Sequence, residues 1–393
     1  MMVKLPSCDV LVVGAGPAGA MAALRVASAG INTWLIDAKR RIGAPPHCAG
    51  FVPARIFADF DISTESIVQK IDSMETRILD ENAICTHSDT PYWSDIDVGK
   101  DDGNTVGSTL SQSVVTTSPG FIIDRVRFDR ALAHNAARKG ALVLCDTRLI
   151  GFQDNHWLIR KGTSVIACKP KYIVAADGAQ STTARLLKLP SPKFLVGVQV
   201  ESPLVNPTTR TMVFFHKSFV DGYGWVFPKG IAANVGIGLS LGFGRRPWEI
   251  LHAFVGYLAS RYIIYGSVLA TSRGLIPVSG PRQSLLCKNV LLCGDAAGLT
   301  HPVTGAGVSQ ALISGDMAGK LIVKAMTNDS PEAIMEYDAQ IKSHFGNVMK
   351  HALSKRQLMV TQWDVHDFEG LCRRCWIAYK EYKLRSITRI RAK

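Results

Sequence analysis

Short apolar runs broken by glycine set the rhythm of the N-terminal region. Cys8 to Val13 is a brief, mostly apolar run that stops at Gly14, the pattern of a buried strand. The alanine-rich stretch from about Gly19 to Ser28 predicts a helix, and Thr33 to Ile36 a second strand ending in Asp37. Strand, glycine turn, helix and strand together form the opening βαβ unit of a dinucleotide-binding sheet. Residues 81–120 are polar, rich in Ser, Thr, Asp and Gly, and predict a loop or irregular hairpin insertion. Phe128, Leu132 and Ala136 fall on one face of a helix from Arg125 to Lys139, which Gly140 stops.

Farther along, Lys171 to Ala176 predicts another buried strand, ending at Asp177-Gly178. Val196, Val198 and Val200 alternate, and Asn234 to Ser240 is interleaved with glycine, so Val196 to Leu241 predicts an antiparallel second sheet. The first pattern then resumes with a strand at Asn289 to Cys293, a turn at Gly294-Asp295 and a helix from Gly307 to Met326. There is no internal repeat. The expected organisation is a discontinuous nucleotide-binding domain (1–80, 120–187 and 286–330), a substrate domain (81–119 and 188–285) and a C-terminal helical segment (331–393).

Composition adds class. The chain is 47% hydrophobic and 20% charged without a low-complexity tract, which is globular. The first apolar run is far too short for a signal peptide or a membrane span, which implies a cytoplasmic protein. Nine scattered cysteines describe no disulfide framework and suit a reducing compartment. The net charge of +13 is uneven: residues 373–393 hold eight Lys or Arg against Glu381 alone, a local +7.

The chemistry begins at Gly14-Ala15-Gly16-Pro17-Ala18-Gly19. Glycines in a turn between strand and helix let the backbone approach a pyrophosphate, which the helix N-terminus attracts. Asp37 follows Gly19 by 18 residues and ends the second strand, where an acid takes a ribose hydroxyl. This unit does not separate NAD from FAD. The second segment does: Cys293-Gly294-Asp295-Ala296-Ala297-Gly298, then His301-Pro302 and Gly305-Ala306-Gly307-Val308.

With that segment the sequence resembles the flavoproteins that include p-hydroxybenzoate hydroxylase and the geranylgeranyl reductases. Ala176-Asp177-Gly178 and Arg125-Val126-Arg127-Phe128-Asp129 match two further motifs of that class, in the same order along the chain. The resemblance implies an α/β fold, a Rossmann-like FAD-binding domain with an antiparallel-sheet (α+β) substrate domain. It also implies FAD held by Gly14, Gly16, Ala18, Gly19 and Asp37, then by Arg125, Asp177 and Gly178. Asp295 would hold the ribityl chain, with Gly305, Gly307 and Val308 at the flavin edge, where a helix start favours negative charge on the reduced ring.

Two more stretches narrow the resemblance to the geranylgeranyl reductase family, including the digeranylgeranylglycerophospholipid reductases. Gly43-Ala44-Pro45-Pro46-His47-Cys48-Ala49-Gly50 resembles its cysteine segment beside the flavin, with Ala49 where the family often has glycine. Tyr223-Gly224-Trp225-Val226-Phe227-Pro228 resembles its YxWxFP motif. The likeness spans residues 8 to 320 and implies a reductase that saturates isoprenoid C=C bonds on a lipid, pigment or quinone precursor. Tyr223 and Trp225 would offer π faces to positive charge on carbon in a dry pocket. Cys48 would donate a proton, touch the flavin together with Ala49, or merely pack. A plainer reading makes Tyr223 and Trp225 sheet core and Cys48 a small buried filler. There is no second GxGxxG unit, so electrons would arrive transiently from NADPH or a protein such as ferredoxin.

Cys372 and Cys375 form one CxxC pair without a second, which does not by itself describe a metal site. Beyond them, Trp376, Tyr379, Leu384, Ile387 and Ile390 interleave with Lys and Arg at near-helical spacing. A basic amphipathic helix of that kind suits an anionic membrane surface, on the cytoplasmic face, or else is a solvated or partner-packed helix. No nucleic-acid-binding fold accompanies the charge. Two rivals remain, a flavin monooxygenase on the same fold and an electron-transfer flavoprotein.

Overall fold

A computed structural model describes residues 8–84, 113–242 and 246–384. The chain divides into two compact units, one of residues 1–68, 123–194 and 275–349, the other of 69–122, 195–274 and 350–393. The expected C-terminal segment therefore forms no third body. The long helix Tyr337–Gln362 begins in the first unit and ends in the second.

In the first unit, six strands lie in the order Leu286–Cys287, Val290–Leu292, Tyr172–Ala175, Val10–Val13, Thr33–Ile36 and Leu142–Leu144. All pair in parallel except the first two. Val10–Val13 is central: Leu11 pairs with Trp34 on one side and Ile173 on the other, and all four residues are buried. A strand covered on both faces reads as an unbroken apolar run. Since its neighbours are reached in opposite directions, the crevice for a ligand opens beyond its carboxyl end.

Helices Pro17–Ser28 and Val308–Thr327 pack together through small residues. A Cβ added at Gly315 would lie 2.1 Å from the Ala18 carbonyl oxygen. The buried Tyr337 hydroxyl donates to the Leu292 carbonyl at 2.7 Å and so ties the long helix to the sheet. Thr147–Gln153, His156–Lys161 and Ser164–Cys168 add a small antiparallel sheet, which sequence pattern did not reveal.

The second unit is built on one large sheet. Its strands run Ala270–Pro277, Phe194–Pro203, Ala232–Leu239, Tyr223–Lys229, Arg210–Phe215, Ile67–Ile78 and Ser113–Ile123. The expected antiparallel pairing holds across the middle strands, but Arg210–Phe215 runs parallel to Ile67–Ile78. Ser113 onward is strand, next to Ile67–Ile78 in the sheet, and residues 85–112 lie outside the described residues. One face carries Phe214, Val226, Val235 and Ile237 against Leu251, Phe254 and Leu258 of helix Pro247–Ser260. That helix also escaped the sequence pattern.

The expected amphipathic helix over 373–393 is corrected. Helix Phe368–Cys375 stops at Trp376, and only Lys380–Lys383 is helical again among the described residues. Trp376 is 2% exposed and Tyr379 6%, so neither is available to a membrane. Arg373 pairs with Glu369 and Glu381, and Arg374 with Asp367, which uses local charge internally. Cys372 and Cys375 are buried too. Ile387 and Ile390 lie outside the described residues.

Gly315 gives a test of the helix pairing. Gly to Ala within a helix ordinarily gains about 1 kcal/mol, but this contact has no room for a methyl group. Gly315→Ala is expected to cost about 1–3 kcal/mol, read as a lower urea midpoint. Gly256→Ala, whose Cβ would meet nothing within 4 Å, is expected to be neutral or stabilising.

Candidate flavin site and aromatic sheet face

The glycine turn at the end of Val10–Val13 is shaped by close backbone approach. Gly14 has φ +99°, and a Cβ there would lie 2.3 Å from the Ala176 carbonyl oxygen. Gly19 is held against the Gly14 carbonyl, where a Cβ would come within 1.8 Å. Gly16 differs, since its Cβ would meet nothing within 4 Å. Gly16 therefore faces open space at the start of helix Pro17–Ser28, which has no side-chain cap. Uncapped N–H groups beside open space are what an anionic pyrophosphate needs.

Asp37 is tied to this turn. Its Oδ2 accepts from the Ala15 N–H at 2.8 Å and its Oδ1 from the Lys39 N–H at 2.7 Å. A carboxylate has roughly four acceptor positions, so Asp37 keeps acceptor capacity beyond these two bonds. Beside Asp37, a cavity of about 300 Å³ is lined by Arg40, Arg41, Arg130, His134, Val143 and Cys145. These residues were missed in the sequence. The signal available was the basic run Lys39-Arg40-Arg41 that begins two residues after the acid. Asp177 turns inward: Ser181 Oγ donates to its Oδ1 at 2.5 Å, and Thr183 donates to Oδ2 through N–H at 2.9 Å and Oγ1 at 3.0 Å. Its carboxylate thus shapes the turn before helix Thr182–Leu186, and Gly178 beside it borders open space.

The Asp295 loop closes on itself. Thr300 Oγ1 donates to Asp295 Oδ1 at 2.5 Å, and the His301 carbonyl accepts from the Gly305 N–H at 2.9 Å. A Cβ at Gly307 would sit 3.2 Å from Asp295 Oδ1, so glycine lets the start of helix Val308–Thr327 lie close to the carboxylate. That helix start has no side-chain cap either. Burial raises the Asp295 carboxyl above its usual pKa, against the opposing pull of Thr300 and Arg125. His301 Nδ1 accepts from the Thr304 N–H at 3.2 Å, a structural role within the loop.

Arg125 opens helix Arg125–Arg138 and grips Asp129 with two bonds, Nε to Oδ1 at 3.0 Å and Nη2 to Oδ2 at 2.9 Å. It also hydrogen-bonds Cys48. Burial by itself would lower the guanidinium pKa; Asp129 and Cys48 outweigh it, so the cation is held firmly charged. The Gly50 N–H reaches the Cys48 sulfur at 3.3 Å. Cys48, Arg125 and Asp295 thus share one electrostatic neighbourhood. Ala49 lies between Cys48 and Gly50, half-buried.

Tyr223 and Trp225 point to the sheet face opposite helix Pro247–Ser260, their rings edge to face at 6.0 Å. Trp225 is 6% exposed and lies over Gly236, where a Cβ would come 2.4 Å from its ring. Its Nε1 has no hydrogen-bond partner among the described residues. Tyr223 is half-buried.

Residues 7–55 match the family model described as FAD binding domain. Residues 248–358, which include the Asp295 loop, match the model described as lycopene cyclase protein. The digeranylgeranylglycerophospholipid reductase of Methanocella arvoryzae is 30% identical over 355 residues, 86% of this chain and 83% of its own. That of Methanocaldococcus jannaschii is 30% identical over 358 residues, 87% and 84% of the two chains. Among solved structures, a geranylgeranyl bacteriochlorophyll reductase-like protein of Thermoplasma acidophilum superposes with TM-score 0.79 at 23% identity, covering 96% of this chain and 92% of its own. The myxobacterial chondrochloren halogenase, a FAD-dependent enzyme, gives 0.66 at 16% identity, covering 88% and 82%. These two share the fold. FAD is the cofactor, and the chain belongs to the digeranylgeranylglycerophospholipid reductase family of flavin oxidoreductases.

Proposed function

We propose that this chain saturates isolated C=C bonds in the isoprenoid chains of a lipid. The observation that carries the reading is the similarity to the digeranylgeranylglycerophospholipid reductases over more than four fifths of the chain. Bound FAD, once reduced, supplies the hydride for one carbon of the double bond. The residues of the chain supply the rest. Gly16 and the start of helix Pro17–Ser28 receive the pyrophosphate, Asp37 the adenosine ribose, and Arg40, Arg41 and Arg130 surround the adenosine end. Asp295 receives the ribityl hydroxyls. Gly305, Gly307 and Val308 form the helix start at the flavin edge.

The second carbon needs a proton, and Cys48 is assigned to deliver it. Its sulfur receives N–H groups from Gly50 and Arg125, so negative charge left after proton transfer meets a cation and a dipole. An unactivated alkene passes through positive charge on carbon. Tyr223 and Trp225 offer ring faces to that charge, and their sheet face keeps water away from it. The reductant, a nicotinamide or a ferredoxin, visits transiently.

An apolar chain of this length has little reason to enter bulk water, so the enzyme is proposed to act at an anionic membrane surface on the cytoplasmic side. Ile377 is 42% exposed and Leu384 66%, and Lys380 and Lys383 are exposed beside them. No helix among the described residues is long and apolar enough to cross a membrane.

Three outcomes are expected. Asp295→Ala should weaken FAD retention by roughly 10- to 100-fold, since hydrogen bonds to a charged group contribute about 1.5–3 kcal/mol. Titration of flavin fluorescence measures it, and unchanged affinity would remove Asp295 from the site. Trp225→Ala should retain FAD yet lose on the order of 30-fold in kcat/KM for saturation of a geranylgeranyl lipid, the worth of about 2 kcal/mol of desolvated cation–π contact. Full saturation by that variant would remove Trp225 from the reacting centre, and NADPH-dependent hydroxylation by the parent enzyme would sink the reductase assignment. Lys380→Glu with Lys383→Glu should cut sedimentation with anionic vesicles by about 1 kcal/mol per lysine. Binding insensitive to these changes and to salt would place the docking surface elsewhere.

A further inference from the structure

The sheet of the second unit sorts its side chains by register. Gln199 pairs with Gly236, Gly236 with Trp225, Trp225 with Val213, and Val213 with Thr76. Residues directly opposite share a face, so Thr76 and Trp225 stand on one side. Tyr223 and Phe215, two residues away along their strands, stand there too. The other side is occupied: a Cβ at Gly224 would meet Phe219 and Phe254.

One residue from far along the chain covers this face. Trp376 Nε1 donates to Thr76 Oγ1 at 3.0 Å. Its ring lies 4.9 Å from Tyr223 and 5.3 Å, edge on, from Phe215. Trp376, Tyr223 and Trp225 thus form a continuous series of rings, stepped by 4.9 and 6.0 Å. The segment that follows Trp376 is anchored from helix Tyr337–Gln362. Buried Lys355 donates to the Leu384 carbonyl at 3.1 Å and lies over the Tyr382 ring, while His351 Nε2 donates to the Tyr382 carbonyl at 2.7 Å.

We infer that Trp376 is a positioning and specificity residue for the isoprenoid chain. It extends the aromatic wall beyond Tyr223 and governs how many double bonds are brought to reaction. The inference rests on the reading that Tyr223 and Trp225 contact that chain. Tyr223 is half-buried between the buried Trp225 and Trp376, so a chain that reaches Tyr223 meets a ring backed and oriented by Trp376. The bond to Thr76 fixes the indole plane. Trp376 therefore controls the tilt of Tyr223, which touches it directly, as well as the reach of the wall.

The test uses full-length, FAD-loaded enzyme, dithionite as reductant and a detergent-dispersed phospholipid bearing two geranylgeranyl chains. Trp376→Leu is expected to raise the ratio of partly to fully saturated product at least fivefold and to weaken binding of the same lipid to the oxidised enzyme. Thr76→Val, which keeps the indole but removes its acceptor, should shift both readouts in the same direction by a smaller factor. Trp376→Phe, which keeps a ring, should fall between Trp376→Leu and the parent, and with Thr76→Val it carries the test where Trp376→Leu does not fold. Product ratio and lipid affinity both within twofold of the parent, in FAD-loaded Trp376→Phe and Thr76→Val, would make Trp376 core packing and overturn the inference. Trp225→Ala separates the two levels. If it loses saturation while the Trp376 and Thr76 variants keep the parent pattern, only this inference falls; if it saturates normally, the reading beneath it falls as well.

Discussion

Main chain lying directly on main chain is the constraint on which the flavin site depends. Gly14 rests against the Ala176 carbonyl, and Gly315 against the Ala18 carbonyl, at distances that exclude even a methyl group. Gly294 completes the set, since a Cβ there would touch the side chains of both Ala18 and Ala311. The first turns of helices Pro17–Ser28 and Val308–Thr327 therefore flank Gly294, which follows strand Val290–Leu292. Protein interiors transmit such displacements because they are packed as densely as crystals. A side chain at any of these contacts would move the Asp295 loop relative to the glycine turn, although residues 20–294 separate the two in sequence.

That proximity sets the electrostatics. Two helix starts without side-chain caps bring their N–H groups to the same region, which suits an anionic cofactor. The three acids of the motifs would repel it, and each is tied down by donors. Asp37 accepts from Ala15 and Lys39, Asp177 from Ser181 and Thr183, and Asp295 from Thr300. Arg125 adds a cation whose charge is secured by Asp129. Since the site's dipoles are fixed by the fold, little reorganisation is needed when charge changes on a bound group.

The glycine turn, the second strand and the Asp295 loop were legible in the sequence because local rules govern them. A buried strand must be apolar, a tight turn needs glycine, and the two signals lie within a few residues of each other. The strand Thr33–Ile36 shows this most plainly, with expected and observed limits the same. What failed was long-range. Arg373, Arg374, Lys380 and Lys383 made the end of the chain look like a solvated basic helix. Trp376 instead faces the sheet, because Thr76 and Tyr223 accept it, and Lys355 holds the carbonyls that follow. Helix Pro247–Ser260 was missed for a related reason: its mean character is apolar enough to pass for sheet core, and only its position on Phe214 and Val226 reveals it.

The two faces of the second unit's sheet differ in what they demand of a side chain. Toward helix Pro247–Ser260, Phe214, Val226 and Ile237 meet only carbon, and any well-shaped apolar residue would serve. On the opposite face Trp225 fills the space above Gly236, but its indole N–H finds no acceptor among the described residues. A buried donor left so costs about 1–3 kcal/mol. Phenylalanine would occupy much of the same groove without that cost. An indole is also the strongest of the aromatic rings toward cations. Its presence where packing alone disfavours it supports the proposed contact of this face with the isoprenoid chain.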